Sequence, residues 1–400
     1  MATFQYGGQA LIEGVLMRGR NALAIALRHP DGSIVWATER LDLGLRARRA
    51  LKMPFLRGLV VLYDTLVTGT RWLVRSATLQ ALALEDGDEG GAKPGGDAPK
   101  PEATTTTTLA GGLLSSVAML FAGPALCAAS GSYSDPDAST EPKPSGSEQG
   151  LGKGYTVAVG GMLFLSLLIG VVFFFLVPLL LARATVGRVD QGFGLQLSEG
   201  VIRVAIFVGY LLLMSRAADV RRTFQYHGAE HMSIHTLEGG DPLTVEAARK
   251  YPTAHPRCGT EFLVVVLIVS ILAFAVVGNL SPIWLILSRI ILIPVIAAIS
   301  YELLQLGARH RSHRVVRWLW SPGIWVQAIT TRQPTDDMIE VAIVSLEQAL
   351  TADGNDVPSG SADYPARPLN PVTDLEVKAD AGAARSSFGT AKVKAEGLDQ

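Results

Sequence analysis

The sequence is short of cysteine, short of charge, and without an excess of either sign. Two cysteines, Cys127 and Cys258, in 400 residues cannot build a disulfide framework, so nothing in the chain demands an oxidising compartment. Charged residues make up 18%, below the ~25% of ordinary soluble domains. The 35 Lys and Arg are balanced by 36 Asp and Glu, a formal charge of -1, so no global basic field advertises nucleic acid and none is expected as a partner. The opening MATFQYGGQA has no basic stretch ahead of an apolar core and does not read as a cleavable signal peptide. The glycines of GGQALIEGVLMRG lack phosphate-loop spacing; around Glu13 and Arg18 they read instead as a tight loop delivering two charges to a site.

What the chain has is apolar residues, at 48% with a mean hydropathy of +0.30. They gather into four runs, at 155–182, 199–218, 262–280 and 283–304. Each offers close to the ~20 residues that cross a ~30 Å hydrocarbon layer. The alternative, buried core helices, fits less well, because helices apolar all round are unusual in water-soluble proteins. Asn279, Ser281 and Pro282 form a turn that makes the last two spans an antiparallel hairpin. Basic residues flank the runs: Arg46, Arg48, Arg49, Lys52 and Arg57 before them, Arg221, Arg222, Arg249, Lys250 and Arg257 in the central loop, and Arg309, Arg311, Arg314 and Arg317 after the last. The positive-inside rule then places both termini and the loop at 216–260 on the cytoplasmic side of the membrane.

The expected fold is mainly α: a polytopic helical membrane protein with about four transmembrane helices and a small N-terminal α/β region containing a β-hairpin. Its parts are an N-terminal cytoplasmic region at 1–84, a low-complexity linker at 85–154, the transmembrane unit at 155–304, a juxtamembrane helical region at 305–350 and a disordered tail at 351–400. Alternation at 21–28 and 33–38 predicts two strands joined by the turn His29-Pro30-Asp31-Gly32. From 54 to 84, Leu59, Leu62, Tyr63, Leu66, Leu73 and Val74 recur at helical steps; that helix either lies on the membrane or packs against the hairpin. An apolar segment at 109–130 is read as lying at the surface rather than crossing. Trp318, Trp320 and Trp325 suit a lipid–water boundary, and a short amphipathic helix is expected at 338–350.

The chemistry gathers in YHGAEHMSIHTLEGG and HPRCGTEFL. The chain has seven histidines, and four of them lie between positions 227 and 255, near Cys258. His227, His231 and His235 are four residues apart, so each advances only ~40° round a helix and all share one face, with Glu230 on its flank. Imidazoles at i and i+4 can approach one divalent ion together, zinc first and iron as the alternative. His255 and Cys258 approach from a second direction. His227-Gly-Ala-Glu230-His231 matches the inverted zinc-protease signature H-x-x-E-H, in which the glutamate acts as general base; the third ligand would come from His235, His255, Cys258, Glu261 or Glu302. The alternative for the whole group is interfacial histidines bonded to backbone or headgroups. Arg289 and Glu302, in the fourth run, lie at depths where charge is costly and often functional; Arg289 can instead snorkel, Glu302 is either a site carboxylate or a structural partner for an arginine, and His310 and His313 are read as headgroup contacts.

These stretches, with GGQALIEGVLMRGR and SPGIWVQAITTRQPTDDMIEVAI, resemble the bacterial domain-of-unknown-function 1385 (YqhQ-like) family over roughly 1–80 and 155–350. The resemblance implies an integral membrane protein with a suspected metal site, carried onto His227, Glu230, His231, His255 and Cys258. The expected function is a metal-dependent membrane hydrolase acting at the cytoplasmic face. The alternatives are a non-catalytic assembly or scaffolding factor docking other membrane proteins or further copies of itself, and a metalloprotease.

Overall fold

The computed structural model describes residues 6–41, 51–89, 165, 168–186, 193–256, 258–277, 281–310 and 313–369. The segment at 109–130, most of the linker and the first part of the first expected span lie outside the described residues.

Four antiparallel strands form a meander: β1 (Gly7–Leu11), β2 (Gly14–Arg18), β3 (Ala22–Arg28) and β4 (Ile34–Arg40). Leu11 pairs with Gly14, leaving Ile12 and Glu13 as a two-residue turn with Glu13 at φ 56. The two expected strands are β3 and β4, and β1 and β2 extend their sheet. Side chains alternate between two buried faces. Val15, Met17, Ala24 and Ala26 face the helix α9 (Asp336–Ala352), while Leu16, Leu23, Ile25 and Leu27 face Trp72, Leu73 and Leu79 of α1 (Leu56–Glu89). The sheet is therefore sandwiched. The helix expected at 54–84 packs rather than floats: beyond the sheet, its Val61 and Leu62 meet Tyr301 and Leu304 of the fourth span.

The helix expected at 338–350 is α9: its apolar side packs on the sheet and on the helix α4 (Ala218–Gly239), while Glu340, Glu347 and Gln348 stay partly exposed. One expectation near the C-terminus is corrected: the tail does not become disordered at Thr351. Residues 353–369 fold back, Ser361 Oγ accepts the Leu243 N–H at 2.8 Å, and β5 (Ala366–Pro368) pairs parallel with β4. A polar composition concealed a segment whose backbone completes a sheet edge.

Among the described residues, four helices are long and apolar enough to cross a membrane: α2 (Leu168–Thr185), α3 (Phe193–Met214), α6 (Gly259–Val277) and α7 (Pro282–Arg309). Their outward faces carry Phe193, Val276 and Ile283, all more than 70% exposed, as lipid-facing side chains are. Helices α6 and α7 pack along each other, in keeping with the expected hairpin. After them come α8 (Arg314–Thr330), which lies against α6 with Trp318 and Trp325 outward, and α9. A short helix, α5 (Val245–Ala248), follows α4.

Arg203 and Arg289 are neither free nor lipid-facing. Both pair with Glu199, Arg289 Nη2 at 2.6 Å. Arg203 Nη1 also donates to Ser270 Oγ at 3.1 Å, and its Nε to the Phe174 carbonyl at 3.1 Å. That carbonyl belongs to a π-helical turn, Val172–Leu176, where the regular hydrogen-bond ladder is interrupted. Both guanidinium groups lie over the Phe274 ring. One carboxylate thus holds two buried cations at the centre of the bundle.

Helix α4 carries many polar residues yet is largely buried, and it ends on Gly240 at φ 75, with Asp241 N–H returning to the Thr236 carbonyl. Its Gly228 faces the Arg332 backbone: a Cβ there would lie 2.2 Å from the Arg332 carbonyl oxygen. On propensity alone Gly228→Ala would stabilise the helix by about 1 kcal/mol; we expect it to lower the thermal midpoint in detergent, because backbone cannot yield as a side chain can. Glu199→Gln, which leaves two buried guanidinium groups short of a counter-charge, should cost about 3–5 kcal/mol in chemical unfolding. A Glu199→Gln protein as stable as the parent would show the triad to be dispensable.

Candidate metal centre

The centre forms where α4, the loop at 253–258, the end of α8 and strand β1 meet. As the four-residue spacing requires, His227 and His231 share a face of α4, with ring centroids 4.4 Å apart. Both rings are oriented by backbone. His227 Nδ1–H donates to the Thr330 carbonyl at 2.9 Å, and His231 Nδ1–H to the Thr253 carbonyl at 2.6 Å. Because a carbonyl only accepts, each ring is left with its lone pair on Nε2. His227 Nε2 lies 3.1 Å from Cys258 Sγ. The donor atoms of His227, His231 and Cys258 all fall within 4.8 Å of one another, and the three residues are buried.

Burial sets the protonation of the group. It pulls His227 down to about 4, opposed by its Thr330 hydrogen bond, and holds His231 well below the usual imidazole range, with the neighbouring His227, His255 and His235 adding to the effect. The rings are neutral at pH 7 and available as ligands. Burial also pushes the Cys258 thiol far up, against the opposing hydrogen bonds from Thr260. A thiolate in so dry a place requires a cation beside it.

Glu230 stands on the same cavity. It is 3% exposed and accepts the Gly8 N–H, and burial raises its carboxyl to about 8. Gly8 is needed there: a Cβ would meet the Leu16 carbonyl oxygen at 2.5 Å and the Glu230 carboxyl carbon at 3.0 Å. The cavity, lined by Tyr6, Gly8, Glu230, His255 and Cys258 among others, holds about 10 Å³, room for one water-sized particle.

The remaining histidines divide from this set. His235 and His255, with Glu238, bring their donor atoms within 4.8 Å of one another in a second group. The His255 backbone is clamped by Gln327, whose Oε1 accepts its N–H at 2.9 Å and whose Nε2 donates to its carbonyl at 3.0 Å. Sequence reasoning missed Glu238, Gln327 and the orienting carbonyls. Glu238 had a signal, three residues after His235 on the same helix; the carbonyls had none.

Other expected candidates lie elsewhere. Glu302 is bound by Arg57 and the Phe55 N–H, joining α7 to the start of α1. Glu261 is buried against Gly323 and adjoins the centre, donating its N–H to the Cys258 carbonyl at 3.0 Å, but it belongs to neither ligand group. Glu13 pairs with Arg222 and Tyr226, and Arg18 with Asp64 at 2.6 Å. The N-terminal loop therefore sends its backbone, and neither charge, to the centre. His313 caps α8 by accepting the Val315 N–H, and His310 is exposed.

A profile of the family described as "Protein of unknown function (DUF1385)" matches residues 53–352. The chain is 30% identical over 346 residues to "Uncharacterized protein YqhQ" of Bacillus subtilis (strain 168), covering 86% of this chain and 92% of that one. No solved structure matches. The match spans α1, all four apolar helices and every metal-ligand candidate, and the chain belongs to the DUF1385 family.

Proposed function

We propose that this is a multi-pass protein of the bacterial plasma membrane whose cytoplasmic-side cluster of His227, His231 and Cys258 holds a divalent metal, zinc before iron, and serves hydrolysis. The observation that carries the reading is the convergence of one ring nitrogen from each of His227 and His231 with the Cys258 sulfur, all within 4.8 Å of one another, with both rings turned by backbone hydrogen bonds as ligating histidines are turned by their outer partners. Two nitrogens and a sulfur are a donor set suited to zinc. A divalent ion held there supplies Lewis-acid polarisation of a carbonyl or phosphoryl oxygen.

The chain's own residues do the rest. Neutral Glu230 is a proton donor at pH 7, and positive charge at the cluster lowers its pKa and makes it a base. The Gly8 N–H fixes the carboxyl in place. The covering strand excludes water and strengthens every electrostatic interaction inside. A cavity of about 10 Å³, with room for one water-sized particle, does not suit a polypeptide, which weighs against the H-x-x-E-H protease reading. The scaffolding reading keeps a specific support: the same residues join α4, the 253–258 loop and α8, so a metal there would also staple the fold.

Full-length protein purified in detergent without chelators is expected to carry at least one equivalent of zinc or iron by elemental analysis. His227→Asn with His231→Asn should remove one equivalent while circular dichroism stays unchanged. Unfolding of that variant would favour the staple. A parent protein free of metal would contradict both versions.

A further inference from the structure

The second cluster, beside the first, has the makings of a site of its own. His235 and Glu238 are three residues apart on α4, so they point to one side of the helix. His255 faces them from the loop, its Nε2 3.5 Å from Glu238 Oε2. The His235 ring is held twice: Nε2–H donates to the Ala254 carbonyl at 3.0 Å, and the ring stacks on Tyr251 at 5.9 Å with 7° between planes. That hydrogen bond leaves Nδ1 as its lone-pair nitrogen. Gln327 fixes the His255 backbone. Three donors of the types that ligate metals are thus brought within 4.8 Å by rigid supports.

The four imidazoles run in a file. Ring centroids are 4.4 Å apart from His227 to His231, 5.6 Å from His231 to His255 and 4.4 Å from His255 to His235. The exposures differ along the file. Cys258 and His231 are sealed, but the Glu238 side chain is 35% exposed. A cation bound at this end would have three protein ligands and an open side, the arrangement that distinguishes reactive or exchanging sites from closed structural ones.

We propose that His235, His255 and Glu238 form a second divalent-cation site on the solvent side of the His227–His231–Cys258 centre. Its two nitrogens and one carboxylate are a harder donor set than the inner two nitrogens and sulfur, so it admits manganese or iron(II) as well as zinc. The inference rests on the inner site being a metal centre and makes the whole a two-ion assembly joined through His231 and His255.

The test is zinc stoichiometry of the full chain in detergent, stripped and then titrated with zinc chloride alone. To exclude surface binding it is done on a His310→Asn, His313→Asn background. Two equivalents are expected, falling to one in Glu238→Gln and in His235→Asn. Glu238 is half-exposed, so Glu238→Gln should fold even where a histidine variant does not. One equivalent in the background protein, unchanged by Glu238→Gln, would overturn the second site and leave the first intact. No bound zinc at all would overturn both.

Discussion

Desolvation is the constraint on which the rest of the molecule depends. Removing a titratable group from water penalises its charged form, and the penalty is relieved only by a counter-charge or by neutrality. The chain meets this in two places. In the bundle, Glu199 answers Arg203 and Arg289 with opposite charge. At the junction of bundle and sheet, His227, His231, Glu230 and Cys258 are driven towards neutrality instead. Neutral imidazoles are ligands, and a thiol that cannot ionise alone ionises beside a cation. The two places share a physics and differ in what answers them: the first has a protein carboxylate, which still leaves Arg289 Nε and Nη1 buried without a hydrogen-bond partner among the described residues, and the second, on the function proposed above, takes an ion.

The fold exists, in this reading, to hold that junction dry. A sheet covered on both faces brings β1 against α4, and only glycine at position 8 allows the backbone so near the Glu230 carboxyl. Two distant segments supply the orienting groups: Thr253 and Ala254 in the loop, and Gln327 and Thr330 at the end of α8. Because α8 also leans on α6, one helix connects ring orientation in the centre to packing in the membrane.

Much of this was legible before any coordinates. The apolar runs were long enough to mark the spans, and the four-residue histidine spacing put three rings on one helical face. What was hidden was hidden for physical reasons. Strands β1 and β2 are buried on both sides, so no polar alternation marks them. Strand β5 sits in a segment whose composition is polar, and its pairing is a property of backbone. Gln327 acts on a main-chain amide 72 residues away, and no local pattern encodes such a contact. Glu302 was open between a site carboxylate and a structural partner for an arginine, and the pair with Arg57 decides for the second. The division of the histidines into two groups depends on the path of the 253–258 loop, which spacing on α4 does not determine.

The most direct test of the centre is X-ray absorption at the metal edge on the full-length protein in detergent. The account predicts a nearest shell of mixed character, with nitrogen or oxygen at ~2.0–2.1 Å and one sulfur at ~2.3 Å, the sulfur signal vanishing in Cys258→Ser. A bound metal with only light-atom scattering, unaltered by that substitution, would place the ion elsewhere and contradict the claim.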